Sequence, residues 1–153
     1  MSENKSITAA AGFRAAGVAC GIKASGKQDM GLISAPEGAT AAAVFTTNRV
    51  VAAPVTICKE HVKETKIFGV VVNSGNANAC TGKKGIRDAE TICRRAAGKL
   101  GTEARNILPA STGIIGEPLP MDKVNKGIEL AAERLSDSSQ AGEDFARAIM
   151  TTD

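Results

Sequence analysis

Ile67-Phe68-Gly69-Val70-Val71-Val72 is a continuous β-branched run that leads straight into Asn73-Ser74-Gly75-Asn76-Ala77-Asn78-Ala79-Cys80-Thr81-Gly82. The first part reads as a strand buried on both faces. The second part has two readings. Asn tolerates left-handed backbone and bonds its own chain, which makes an irregular loop. Buried amides held in place by partners would instead floor a ligand site.

Upstream of this stretch, short apolar runs alternate with turn residues. Val18 to Lys23 and Met30 to Ser34 read as strands joined by a turn over 24–29, and Pro36-Glu37-Gly38 turns the chain again before a third strand at about 41–46. Elements so short and close favour antiparallel pairing. Thr46-Thr47-Asn48-Arg49 follows as a polar knot that caps a turn more often than it binds a ligand. Pro54 to Cys58 reads as a further strand. Lys59 to Lys66 reads as a solvated helix or loop with His61 at the surface, and residues 1–12 as a mobile end.

Downstream, Ile86, Ala89, Cys93, Ala96, Ala97 and Leu100 recur at helical spacing with charges between them, and Gly101 ends the helix. A second helix starts near Pro120 and Asp122, with Val124, Ile128, Ala131 and Leu135 facing inward. A third is capped from Ser136-Asp137-Ser138-Ser139-Gln140, with Glu143 and Asp144 in its first turn and Phe145, Ala148 and Ile149 inward. Between the first two lies Ile107-Leu108-Pro109-Ala110-Ser111-Thr112-Gly113-Ile114-Ile115-Gly116-Glu117-Pro118-Leu119-Pro120. Its glycines and prolines suggest a rigid polar turn. Such a turn can also aim a backbone N–H and a threonine hydroxyl at one point, as an oxyanion requires. Strands in the first half and helices in the second give an α/β (α+β) class.

With 153 residues, one domain with a real core is expected. The composition is 43% hydrophobic but rich in alanine, with four Phe and neither Tyr nor Trp, so the core must rest on Val, Ile and Leu and be completed by another piece of protein. The net charge of +3 comes from interspersed residues, and without aromatic platforms nucleic acid is a poor partner. Cys20, Cys58, Cys80 and Cys93 form no CxxC pair and have only His61 as an imidazole companion, which disfavours zinc. Reduced, partly buried thiols in a cytoplasmic protein are expected. No signal segment or membrane-length apolar run is read, and Gly82-Lys83-Lys84-Gly85 fails as a phosphate loop because Ala77 and Lys84 stand where Gly and Ser or Thr are needed.

Five stretches then carry a resemblance: Gly12 to Val18, Ala43 to Arg49, Val72 to Gly82, Ala110 to Gly116, and Ala148-Ile149-Met150-Thr151-Thr152-Asp153. Together and in this order they resemble the bifunctional ornithine acetyltransferase family, or glutamate N-acetyltransferases, of arginine biosynthesis. The resemblance implies a self-cleaving precursor whose α and β chains form a layered α-β-β-α sandwich, assembled as a heterotetramer of two α and two β chains. It implies transfer of acetyl from N-acetylornithine to glutamate, with acetyl-CoA as a possible second donor, through a new N-terminal threonine and without cofactor or metal. Thr112 and Gly113 are similar to that family's oxyanion hole, and Thr151 to a substrate-contacting threonine, with Thr152 adjoining it. Asn73, Asn76 and Asn78 resemble site architecture without an assigned role. On this reading residues 1–153 are a single incomplete domain, the N-terminal part of an α chain, lacking the nucleophile. The alternative is a non-catalytic small-molecule binding module or interaction remnant.

Overall fold

The computed structural model describes residues 6–151. Within them lies a sheet of strand order β1-β2-β3-β4: β1 (Arg14–Val18), β2 (Met30–Ala39), β3 (Ile67–Asn76) and β4 (Ile107–Ile114). Around it pack α1 (Ala53–His61), α2 (Gly82–Leu100), α3 (Met121–Glu133) and α4 (Ser139–Ala148). The first three strands are antiparallel neighbours, whereas β3 and β4 run parallel. A parallel pair needs a crossover, and α2 supplies it. The mixed α/β class therefore stands.

Register separates the two faces of the sheet. Leu32 pairs with Val71 and Met30 with Asn73, and this face joins Ala89, Ile92, Cys93 and Ala96 of α2 and Val124, Ile128 and Ala131 of α3 in the core. Alanines at 0% exposure in both helices are core residues in their own right, because their size brings the helices close to the sheet. On the opposite face Gly17 and Gly31 admit α4: a Cβ at Gly17 would overlap the Asp144 carbonyl, and one at Gly31 would sit 2.8 Å from the Phe145 ring. Phe68, Val70 and Val72 on this side are only half-buried, so β3 is covered fully on one face and not on both.

Several expectations shift. The first strand is Arg14–Val18 rather than 18–23, because the carboxylate of Asp29 folds residues after Val18 back on themselves. Pro36 to Gly38 does not turn the chain out of the sheet. It makes an irregularity inside β2, where the register jumps between Ser34 and Ala39. Residues 41–46 form no strand, and Val44 is fully exposed. Pro54 to Cys58 is helical, with Pro54 in the first turn, where its missing N–H costs nothing. His61 is half-buried rather than at the surface. Its Nδ1 lies 2.7 Å from the Ile107 carbonyl, and since a carbonyl only accepts, Nδ1 donates. With the Cys58 thiol donating to the Pro109 carbonyl at 3.1 Å, α1 occupies carbonyls on the far edge of β4. Residues 107–114, read as a turn, are a strand.

The helices agree better. Gly101 caps α2 in the left-handed conformation at φ 69°. Ser138 caps α4 by accepting from the Ala141 N–H at 3.2 Å. Glu143 and Asp144 fall beyond the first turn, which holds no acidic residue, and Ile149 is 37% exposed. Of the expected mobile end, residues 1–5 lie outside the described part, and Ile7–Ala9 form a 3-10 turn.

All four cysteines are free. Burial pushes the Cys20 and Cys93 thiols up to about 12 and Cys58 to about 11. The thiolate is the reactive form, so these three stay protonated at neutral pH and gain reactivity only as pH climbs toward those values. Brief iodoacetamide treatment near neutral pH should therefore label the exposed Cys80 first, as read by peptide mass spectrometry. Equal labelling of Cys93 would mean that α2 is not packed as described.

Candidate active site

Where β3 and β4 run out, the sheet opens into a cleft of about 900 Å³. Its walls are the connection between β1 and β2 (Ile22 to Gln28), the strand ends Gly75 and Thr112 to Ile114, and Arg147, Met150 and Thr151 at the end of α4. The cleft thus gathers Thr112, Gly113 and Thr151, which are far apart in sequence.

The strand ends come together through glycine. Gly75 at φ 102° and Gly113 at φ 133° oppose each other in the β3–β4 register. A Cβ on Gly113 would overlap the Gly75 carbonyl carbon and come to 2.5 Å from the Asn76 nitrogen. Only a residue without a side chain lets the two backbones approach this closely. The neighbouring Ser111 hydroxyl donates to Asn73 Oδ1 at 2.6 Å, which ties the same two strands together. Thr112, by contrast, has a half-buried side chain whose hydroxyl makes no hydrogen bond among the described residues. An unengaged donor beside a glycine N–H on a cleft wall is what an oxyanion site needs.

The asparagines are the site's frame and do not line it. The Asn73 amide donates to the Asn76 carbonyl at 2.8 Å. The Asn76 amide donates to the Glu117 and Pro118 carbonyls, while Asn76 Oδ1 accepts from the Asn78 N–H at 2.8 Å. Asn78, with φ 46°, donates to the Gly85 carbonyl and accepts from the Thr81 hydroxyl. Their polar groups are occupied by the chain itself, which decides between the two readings of this segment: it extends β3 and then becomes a locked loop. Ser74 adds a bond from its hydroxyl to the Ala148 carbonyl, so β3 also holds the end of α4.

The third wall is organised by Asp29, which is completely buried. Its carboxylate accepts from the Cys20 N–H at 2.7 Å and the Lys23 N–H at 2.9 Å. Burial first, then the hydrogen bond and charge of Asp29, keep the Cys20 thiol protonated. The loop so folded carries Lys23 and Lys27 into the cleft lining, where Arg147 joins them and, among the described residues, no acidic side chain does. Arg147 also lies 3.5 Å from Glu143 on the exposed side of α4. Sequence reading missed Asp29, Lys23, Lys27 and Arg147. Only Asp29 carried a local signal, a carboxylate set directly against the apolar start of β2.

Other candidates stay outside. Thr46 to Arg49 are exposed, and the Asn48 N–H donates to the Thr46 hydroxyl at 3.2 Å. Thr152 lies outside the described residues. Among the described residues no three His, Cys, Asp or Glu side chains come together that could hold a metal ion, and no helix is long and apolar enough to cross a membrane.

Comparison with known proteins gives a consistent picture. The profile of the ArgJ family matches residues 14–153. An arginine biosynthesis bifunctional protein ArgJ from Caldanaerobacter subterraneus subsp. tengcongensis is 55% identical over 93% of the chain, which spans 34% of that relative's length. Ornithine acetyltransferase from Mycobacterium tuberculosis, solved in complex with ornithine, superposes with a TM-score of 0.94 at 42% identity, covering 99% of this chain and 82% of that one. The ArgJ protein of Bacillus halodurans gives 0.93 at 39% identity, covering 99% and 78%.

Proposed function

The chain belongs to the ArgJ family, and from that footing we propose that it is the N-terminal part of the α chain of an acetyltransferase in arginine biosynthesis, supplying the oxyanion hole. The observation that carries the reading is the meeting of Thr112, Gly113 and Thr151 on one open cleft, with the Thr112 hydroxyl unengaged.

The chemistry divides between segments. A threonine on the β chain, freed as an N-terminus by self-cleavage, attacks the acetamide carbonyl carbon of N-acetylornithine, its proton passing to the terminal amine. Such an amine, with a pKa near about 7.7–8.0, suits that exchange at neutral pH. Negative charge gathers on the carbonyl oxygen, where the Thr112 hydroxyl and the Gly113 N–H donate to it. The C–N bond then breaks, ornithine leaves with the proton, and the acetyl group remains as a threonine ester. Glutamate attacks that ester through its neutral amine, a second oxyanion forms in the same place, the ester C–O bond breaks, the terminal amine passes the glutamate proton to the threonine oxygen, and N-acetylglutamate departs. When acetyl-CoA is the donor, the same threonine attacks its thioester carbonyl, the C–S bond breaks and CoA leaves as the thiol with the threonine's proton. Thr151 contacts the substrate on the cleft wall.

The β chain covers the exposed Val44, Ile114 and Ile115, and two αβ pairs form the heterotetramer in the cytoplasm. The reading is tested by supplying full-length protein containing this chain with acetyl-labelled N-acetylornithine and glutamate. Labelled N-acetylglutamate is the expected product. Binding of N-acetylornithine with no transfer by folded protein would instead leave a non-catalytic binding module.

A further inference from the structure

α4 and the chain just past it end at the cleft, and their last carbonyls need partners that the helix cannot supply. Two are provided from other elements. The Ser74 hydroxyl donates to Ala148, and the Lys23 ammonium donates to Met150 at 2.7 Å across 127 residues of sequence. The same ammonium donates to the Gln28 carbonyl at 2.8 Å, inside its own loop. Lys23 is therefore braced at both ends. Its backbone N–H is fixed on buried Asp29, and its side chain joins the loop wall of the cleft to the helix wall. A cation at a helix C-terminus is also favoured by the partial negative charge there. The residue immediately after the captured carbonyl is Thr151.

We propose that Lys23 is the positioning residue for Thr151: by holding the Met150 carbonyl to the Gln28 carbonyl it sets where the chain leaving α4 presents Thr151 on the cleft wall. This rests on the reading of Thr151 as a substrate contact. Lys23 takes no part in the chemical step, so its loss acts on substrate binding, and KM moves while kcat follows only weakly. The bond to Met150 is exposed, so water can replace the ammonium there and the fold survives without it.

The test is steady-state acetyl transfer by the full-length protein with Lys23→Met, Lys23→Arg, Thr151→Val and the double variant Lys23→Met with Thr151→Val. Losing a charge-assisted hydrogen bond at this position should raise KM for N-acetylornithine about tenfold or more in Lys23→Met, with kcat within about threefold. Lys23→Arg, which keeps charge and donors, should restore KM to within about threefold. The double variant should be little worse than the larger single, because both changes remove one contact. An unchanged KM in Lys23→Met, or effects that multiply in the double variant, overturns the positioning role. An unchanged KM in Thr151→Val alone overturns the reading of Thr151 itself, and that failure is visible without any Lys23 variant. If Lys23→Met does not fold, Lys23→Gln replaces it with the same criteria.

Discussion

Replacing Thr112 by Ala in the full-length protein is expected to slow acetyl transfer by about 10²–10³-fold in kcat, the cost of one preorganised oxyanion donor. The loss should fall on kcat because the hydroxyl meets full charge only after attack on the carbonyl. Nothing in the described chain is bonded to this hydroxyl, so its removal leaves no internal partner stranded. The thermal midpoint should therefore move little, within the roughly 1 kcal/mol spread of strand preferences. Thr112→Ser, which keeps the donor, should retain most of the turnover. A variant without the hydroxyl that turns over like the parent would remove Thr112 from the mechanism.

Gly113→Ala should damage the fold as well as the site. Its φ of 133° strains any L side chain, on the order of 1–3 kcal/mol, and the new Cβ meets backbone of β3, which cannot swing aside. Overpacking adds about 1–3 kcal/mol. Against a total stability of about 5–15 kcal/mol, this is a large fraction, and denaturant unfolding would read it directly. Gly98→Ala is the counterpart with opposite sign. It sits in α2 with nothing within 4 Å of its Cβ, and should stabilise by about 0.5–1 kcal/mol. If both substitutions destabilise equally, backbone approach is not what Gly113 provides.

The helices with a long apolar stripe were legible from sequence because periodicity is a local property. Ala89, Cys93 and Ala96 of α2, and Val124, Ile128 and Ala131 of α3, are buried as their spacing implies. What failed depended on partners distant in sequence. Val55, Thr56 and Ile57 have strand-like side chains but lie in a helix, and Pro54 at its start was the overlooked sign. Thr112 and Gly113 were read as a turn because glycine and proline are ordinary turn residues, whereas here Gly113 serves a strand pressed against Gly75. The candidate site residues Thr112, Gly113 and Thr151 rest on resemblance to a family, the first two also on the polar turn that their own stretch suggests. Their meeting on one cleft follows from the β3–α2–β4 crossover and from α4 crossing β1, neither of which leaves a local pattern. Lys23 and Arg147 looked like any solvated cation until the fold placed them.

The pairing of Asn73 with Ser111 spans 38 residues. A ribosome adding about 5–20 residues per second takes roughly 2–8 s to cover that distance. Throughout that interval β3 is already made and can lie beside β2, while the strand that completes its other side does not yet exist. Helix α2, which needs only about microseconds to form, has long been ready when β4 emerges. The nascent sheet must wait with one edge unpaired, the condition in which neighbouring chains join and aggregate. Asn73, Ser74, Gly75 and Asn76 are poor recruits for a foreign strand. The residues that later frame the cleft thus shorten the stretch of that edge open to a foreign strand, leaving Ile67 to Val72 as its recruiting part.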